Sequence, residues 1–179
     1  MTIIGILGRA RAGKDTVATA IKNVATTPTV ILRLAQPIKD AVCALYNIEY
    51  DTLESNKKEE IIPGYTCTPR RAMQEITEYY MKRHGRDFFS KALFSKIDKQ
   101  QFGCVIIPDI RYPHDIHEVH KRGGYVIKVQ RPENPVNYAC EDTVDDCEYD
   151  FSIVNDATKE SLETHAINIY NIISNLTNQ

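Results

Sequence analysis

Long apolar runs are missing from this chain of 179 residues, and none approaches the roughly 20 residues that a membrane-spanning helix requires. A surplus of either charge is missing too. Lys and Arg number 22 against 24 Asp and Glu, for a formal net charge of −2. The chain therefore lacks the electrostatic footprint of a protein that holds polymeric DNA or RNA. Its five cysteines (Cys43, Cys67, Cys104, Cys140 and Cys147) are odd in number and form no C-x-x-C pair. That argues against a disulfide framework or a structural zinc site, and for free thiols in a reducing compartment. The first residues lack the charged-then-apolar layout of a signal peptide, so the cytoplasm is the expected location and no membrane partner is expected. Internal repeats, low-complexity tracts and interdomain linkers are also absent. With 42% hydrophobic and 26% charged residues, the expectation is one globular domain over 1–179.

What the chain does have stands near its start. Gly8 and Gly13 frame four residues ahead of Lys14, the G-x-x-x-x-G-K spacing of a phosphate-binding loop. The apolar run Ile3–Leu7 enters this loop as a buried strand, and Val17, Ala18, Ile21 and Val24 leave it at helical spacing. The physics is direct. Glycines let the backbone curl until successive amides of Arg11, Ala12 and Gly13 converge, the helix N-terminus adds partial positive charge, and Lys14 adds a full one. A plain glycine turn between strand and helix is the bland alternative. Asp15 stands where a Ser or Thr hydroxyl normally reaches magnesium, with Thr16 one residue later.

Four further runs read as strands: Thr29–Leu34, Cys104–Pro108, Tyr125–Val129 and Phe151–Val154. Helical patterns fall between them. Pro37 and Pro69 suit helix first turns, Phe88, Ala92 and Ile97 mark another helix, and Ile116 and Val119 a short one. The last is periodic through Leu162, Ala166, Ile169, Ile173 and Leu176, an apolar seam for packing. Strands alternating with helices indicate an α/β fold with a parallel, doubly wound sheet. Two insertions interrupt the alternation: a mostly helical stretch within 36–99, and a polar segment over 131–150 with Pro132, Pro135 and the acids Glu141, Asp142, Asp145, Asp146, Glu148 and Asp150. They suit an acceptor-binding segment and a closing lid, although a solvated loop explains the acids equally well.

Asp109 ends an apolar strand, where a P-loop enzyme places a carboxylate that helps hold magnesium. Arg111, two residues on, either reaches a transferred phosphoryl group or pairs with Asp109 or Asp115. Arg33, Lys39, Arg70, Arg71, Arg86 and Arg131 are further basic candidates at strand ends or in the insertions. A monophosphate acceptor needs two or three such groups, because its dianion must approach an equally anionic triphosphate, and guanidinium suits phosphate oxygens bidentately. Any single one also reads as an ordinary surface charge. His84, His114, His117, His120 and His165 show no metal spacing and read as surface residues.

Four blocks taken in order, 8–16, 35–39, 68–74 (Thr-Pro-Arg-Arg-Ala-Met-Gln) and 108–113 (Pro-Asp-Ile-Arg-Tyr-Pro), resemble the deoxynucleoside monophosphate kinases of phages and other viruses. The resemblance covers almost the whole chain, to Asn155-Asp156. It implies the nucleoside monophosphate kinase version of the P-loop fold, a five-stranded parallel sheet in the order 2-3-1-4-5 flanked by helices. It further implies transfer of the γ-phosphate of ATP, with Mg2+, to a (deoxy)nucleoside monophosphate by a monomer or homodimer, in the host cytoplasm if viral. By position it implies Lys14 and the loop amides on ATP phosphates, Asp15, Thr16 and Asp109 around the metal, and Asn155 and Ala157 beside adenine. It also implies Arg33, Lys39, Arg70, Arg71, Gln74 and Arg111 at the acceptor, Arg131 as a lid arginine, and Cys140 and Glu141 near the acceptor sugar or base. The chain departs from the family pattern at Tyr138–Glu141, where relatives commonly show His-x-Ser/Thr-Glu, and at Thr77-Glu78, where a Gly-Thr pair is frequent. Kinases of phosphomevalonate and dephospho-coenzyme A share parts of this layout, and a regulatory nucleotide-binding module is the non-enzymatic alternative.

Overall fold

Strand β1 (Thr2–Leu7) is apolar almost throughout because both its faces are covered, and Ile3, Ile4, Ile6 and Leu7 have no exposed surface. The structure is a computed structural model that describes residues 1–132, 144 and 146–177. Strand β1 is flanked in parallel by β3 (Cys104–Ile110) and β4 (Tyr125–Gln130). β2 (Thr29–Ile31) adds to β3, and β5 (Phe151–Val154) to β4. The resulting order, β2-β3-β1-β4-β5, is the 2-3-1-4-5 arrangement expected for the chain. β2 is shorter than the run Thr29–Leu34. Its ladder lapses after Ile31, although the Leu32 amide still donates to the Ile106 carbonyl at 2.9 Å. As an edge strand it is only half-buried, so fewer residues are held in extended form.

The chain forms two compact units, Met1–Arg33 with Ala92–Gln179, and Leu34–Lys91. In the first, helices α1 (Lys14–Val24) and α7 (Lys159–Thr177) bury Val17, Ala18, Ile21, Leu162, Ala166, Tyr170 and Ile173 against Ile4, Ile6, Ile106 and Ile127. This corrects the seam read from the sequence. Tyr170 joins it and Leu176 does not, being 48% exposed, because the last three residues of α7 are all exposed and outrun the core. Helix α6 (Pro113–His120) starts on a buried carboxylate, where Asp115 Oδ2 accepts the amides of Arg111 at 2.9 Å and Tyr112 at 3.0 Å.

The second unit holds α2 (Gln36–Tyr46), α3 (Tyr50–Glu54), a 3-10 turn at Asn56–Glu59 and α4 (Pro69–His84). Helix α5 (Phe88–Asp98) begins there and ends in the first unit. Val42, Leu53 and Ala72 form a small core with Cys43, Tyr46, Ile48, Cys67, Met73 and Ile76 packed around it. Pro37 lies in the first turn of α2, and Asn47 closes that helix in the left-handed region at φ 50°. Thr68 caps α4, its hydroxyl accepting the Arg71 amide at 3.2 Å, with Pro69 next in the first turn.

Candidate active site

The loop between β1 and α1 is shaped by two glycines. A Cβ on Gly8 would stand 2.4 Å from the Val129 carbonyl oxygen, so only glycine lets β1 leave so close to β4. Gly13, at φ +106°, begins α1, and a Cβ there would meet Leu162 Cδ2 at 2.8 Å and Asn155 Nδ2 at 2.9 Å. Arg11 also takes positive φ, at 61°. Asn155 Nδ2 donates to the Ala12 carbonyl at 2.8 Å, tying the crown of the loop to the end of β5. Lys14 folds its ammonium back into the loop, donating to the carbonyls of Gly8 at 2.7 Å and Arg9 at 2.8 Å.

These residues open on a cavity of about 430 Å3 lined by Arg11, Gly13, Lys14, Asp15, Thr16, Arg131, Asn155, Ala157, Lys159 and Leu162. Ala12 is buried behind it. Arg131, at the end of β4, donates from Nη1 to the Arg11 carbonyl at 3.4 Å. The cavity thus brings together residues read from the sequence as phosphate, metal, adenine and lid contacts, and adds Lys159 and Leu162. Asp15 does not face it alone: Arg33 Nη1, beyond β2, donates to Asp15 Oδ1 at 2.7 Å. Arg33 and Asp15, assigned from the sequence to acceptor and metal, are therefore partners of one another here. Asp109 is half-buried near the end of β3, and half-buried Arg111 follows, its carbonyl accepting the Cys147 thiol at 3.8 Å. Cys140 and Glu141 lie outside the described residues, as does most of the 131–150 segment. Within that segment Val144 and Cys147 are buried.

Magnesium commonly rests on one or two protein oxygens and otherwise on phosphate oxygens and water. The Asp15 carboxylate and Thr16 hydroxyl, lining the cavity beside Lys14, fit that donor set. Among the described residues no cluster of three or more His, Cys, Asp or Glu forms a protein-only cage.

Lys128 escaped the sequence reading. It is 4% exposed on β4, and its ammonium lies 5.2 Å from the centre of the Tyr149 ring. With Gly8, Arg9, Gln130, Arg131 and Val144 it lines a second cavity of about 310 Å3. Burying a charge is costly without compensation. A lone lysine within the apolar run Tyr125–Val129 was the available signal.

The second unit carries its own basic cluster. Lys39 pairs with Glu54, and Arg70 with Glu59 at 2.6 Å. Lys58, unmarked in its polar run, is held below the usual lysine range, first by burial and then by the charge of Arg70. Arg71 is exposed and bonds Glu75 one turn along α4 at 2.7 Å, and Gln74 is exposed between them. Cations crowded in this way repel one another, and a bound anion relieves the repulsion.

The sequence model of the phosphomevalonate kinase family matches residues 6–124. A protein of Acanthamoeba polyphaga mimivirus named "Putative deoxynucleotide monophosphate kinase" is 24% identical over 148 residues, covering 74% of this chain and 75% of that one. Among solved structures, the chain is similar to shikimate kinase from Aquifex aeolicus, at 10% identity and a TM-score of 0.49 over 98% of this chain and 99% of the other. It is similar also to dephospho-CoA kinase from Campylobacter jejuni, at 13% identity and a TM-score of 0.47 over 96% and 97%.

Proposed function

The chain belongs to the phosphomevalonate kinase family and is a P-loop kinase, and from that premise we propose that its acceptor is a (deoxy)nucleoside 5′-monophosphate. The observation that carries the acceptor is the likeness to the mimiviral protein, which extends over three-quarters of both chains. The basic cluster of Lys39, Lys58 and Arg70 supports it, since a dianionic phosphate is the kind of ligand such a cluster receives.

An oxygen of the acceptor phosphate attacks the γ-phosphorus of ATP, the bond to the β,γ-bridging oxygen breaks, and ADP leaves with that electron pair. Little covalent work falls to the protein, so its contribution is position and charge. Amides at Arg11–Thr16 cradle the triphosphate, and Lys14 exchanges its loop carbonyls for phosphate oxygens. Asn155 keeps the loop in shape through Ala12. Asp15 and Thr16, with Asp109 as a further carboxylate, would hold Mg2+, which would supply positive charge to the triphosphate. Arg131 and Arg111 offset charge on the transferring group. Lys39, Arg70, Arg71 and Gln74 hold the acceptor.

The family match favours a second reading, phosphomevalonate as acceptor. Both readings put a phosphomonoester on the acceptor side and differ in what it carries. A coupled ADP-release assay over the four deoxynucleoside monophosphates, their ribose counterparts and phosphomevalonate separates them. Turnover with at least one deoxynucleotide well above the acceptor-free rate is expected. Turnover with phosphomevalonate alone would overturn the nucleotide assignment and leave the kinase assignment standing.

A further inference from the structure

Two charged side chains of the first unit are buried, Asp115 and Lys128, 1% and 4% exposed. The bonds of Asp115 exceed what a helix start requires. As the third residue of α6 it accepts the amide of Tyr112, the capping residue, at 3.0 Å, and this bond belongs to an ordinary capping box. The same oxygen accepts the amide of Arg111 at 2.9 Å, one residue before the cap. That second bond adds nothing to the helix. What it fixes is the backbone of an arginine that directly follows β3. Arg111 is held from its other sides as well. Ile110, before it, ends β3 with no exposed surface. Pro113, two residues on, keeps Tyr112 extended, at φ −117° and ψ 152°. The Arg111 carbonyl accepts the Cys147 thiol at 3.8 Å. The second oxygen of Asp115 lies 3.4 Å from His114 Nε2, and the His114 ring stacks on Tyr112 with centres 5.2 Å apart. Lys128 belongs to the same group. Burial pushes the Cys147 thiol up, Lys128 pulls it down and Asp115 pushes it up, so both buried charges stand near one thiol.

We propose that Asp115 is a positioning residue, which sets the backbone of Arg111 so that its guanidinium meets the transferring phosphoryl group already in place. The inference rests on the phosphoryl contact proposed for Arg111, and it gives Asp115 no contact of its own with either substrate. A buried carboxylate loses its hydration and persists only where donors replace the water. Here the donors are two consecutive backbone amides, which cannot swing away as side chains do. A long side chain reaches a phosphate from many backbone placements. Charge that is preorganised, however, needs no rearrangement at the moment of reaction. Misplacing a reacting group by about 1 Å can cost on the order of a hundredfold in rate. Asp115 removes that freedom at the root of the side chain, where a small rotation of the backbone would move the guanidinium furthest.

The test is a double-mutant cycle in kcat, measured as ADP release with whichever acceptor of the coupled assay turns over fastest. Asp115→Ala should lower kcat about tenfold, with KM for ATP and for the acceptor within about twofold of wild type, as for an interaction made in the transition state. Asp115→Asn keeps a neutral oxygen in the same place. Its kcat should fall between those of wild type and Asp115→Ala, and it carries the test should the alanine variant fail to fold. In an Arg111→Ala background, either change at Asp115 should lower kcat by less than about twofold, because the group it positions is gone. A purely structural carboxylate would instead lower kcat by the same factor in both backgrounds, and that result would overturn the proposal. So would wild-type kcat in every Asp115 variant that folds. Wild-type kcat in Arg111→Ala would remove the phosphoryl role of Arg111 itself, and the positioning role with it, while leaving the bonds that cap α6 in place.

Discussion

Replacing Lys14 with alanine separates what this residue does for the loop from what it does for the reaction. In the structure its half-buried ammonium bonds two carbonyls, Gly8 at 2.7 Å and Arg9 at 2.8 Å. A hydrogen bond to a charged group contributes about 1.5–3 kcal/mol when well buried. Here water can reach the vacated carbonyls, so the two together should cost about 1–2 kcal/mol. For a chain of this size each kcal/mol shifts Tm by about 2–4 °C, and a fall of about 2–8 °C with an unchanged circular dichroism spectrum is expected. The effect on turnover should be much larger. On the transferring phosphates the ammonium is a preorganised charge in a closed site, and losing one such group costs about 3–4 kcal/mol in the barrier. That is a loss of about 100- to 1,000-fold, read as ADP release at saturating ATP and acceptor. A variant that keeps more than about a tenth of wild-type turnover would refute the assignment of this loop to the reacting phosphates, since it would leave less than about 1.4 kcal/mol to explain. Loss of turnover together with loss of the fold would refute the separation of the two roles.

Asn155→Ala removes the tie to the Ala12 carbonyl; at about 1 kcal/mol for the bond, the KM for ATP should rise about fivefold, and steady-state kinetics showing no change would set this tie aside. Lys128→Met fills the same space without the buried charge, and turnover should drop at least about tenfold with Tm nearly unchanged; wild-type turnover would make Lys128 a purely structural cation. Arg122 bonds Asp98 twice, at 2.8 Å and 2.7 Å, and Glu118 at 2.5 Å, and lies 4.6 Å from the Phe94 ring centre. Arg122→Met should cost about 2 kcal/mol at neutral pH by urea melts, after discounting the half-exposed Asp98 for solvent screening. Asp98 and Glu118 are held below their usual range chiefly by hydrogen bonds from Arg122, so this stabilisation is complete above the unfolded carboxylate pKa values and lost as pH falls through the folded ones. The gap between variant and wild type should accordingly narrow below about pH 4, and a gap that widens there would contradict the ion network. Burial pushes the Cys104 thiol up to about 11, and the side chain is 1% exposed, so iodoacetamide at pH 8 should leave it unmodified in the native protein by mass spectrometry, and rapid labelling would contradict its burial.

The sheet was legible because its strands are short, branched and almost uninterrupted by charge. Ile3–Leu7, Cys104–Pro108 and Tyr125–Val129 could hardly be anything but buried parallel strands, and the phosphate-loop spacing fixed where the first of them ends. Positions that depend on tertiary limits were less legible. Leu176 keeps the helical period of α7, yet a period cannot report that the helix outlasts the core beneath it. Nor could it report that β2 would lapse after Ile31, since Leu32 and Leu34 are as apolar as the residues before them and only the edge position of the strand shortens it. The stretch between α2 and α4 hid α3 and a 3-10 turn in a run of polar residues, where α3 is anchored by the single buried Leu53 and the turn is capped by the Ser55 hydroxyl and buries none of its own residues.

The same distinction divides the candidate site. Gly8, Gly13 and Lys14 announce themselves, because the chemistry of cradling an anion demands those residue types at that spacing. Asp15 announced itself as a departure, and the structure supplies a partner for it. A hydroxyl at that position would leave the Arg33 guanidinium without the carboxylate 2.7 Å away. The acid in the loop and the arginine just past β2 therefore compensate each other's charge, and neither can be judged alone. Reading Arg33 as an acceptor ligand and Asp15 as a metal ligand treated as independent two charges that the fold has coupled. A metal held at Asp15 would compete with the guanidinium for the same oxygen. Lys128 is the converse case: no motif contains it, and its only mark is the physical cost of a charge inside an apolar strand. Where a sequence tolerates such a cost beside a phosphate loop, the charge itself is the feature to explain.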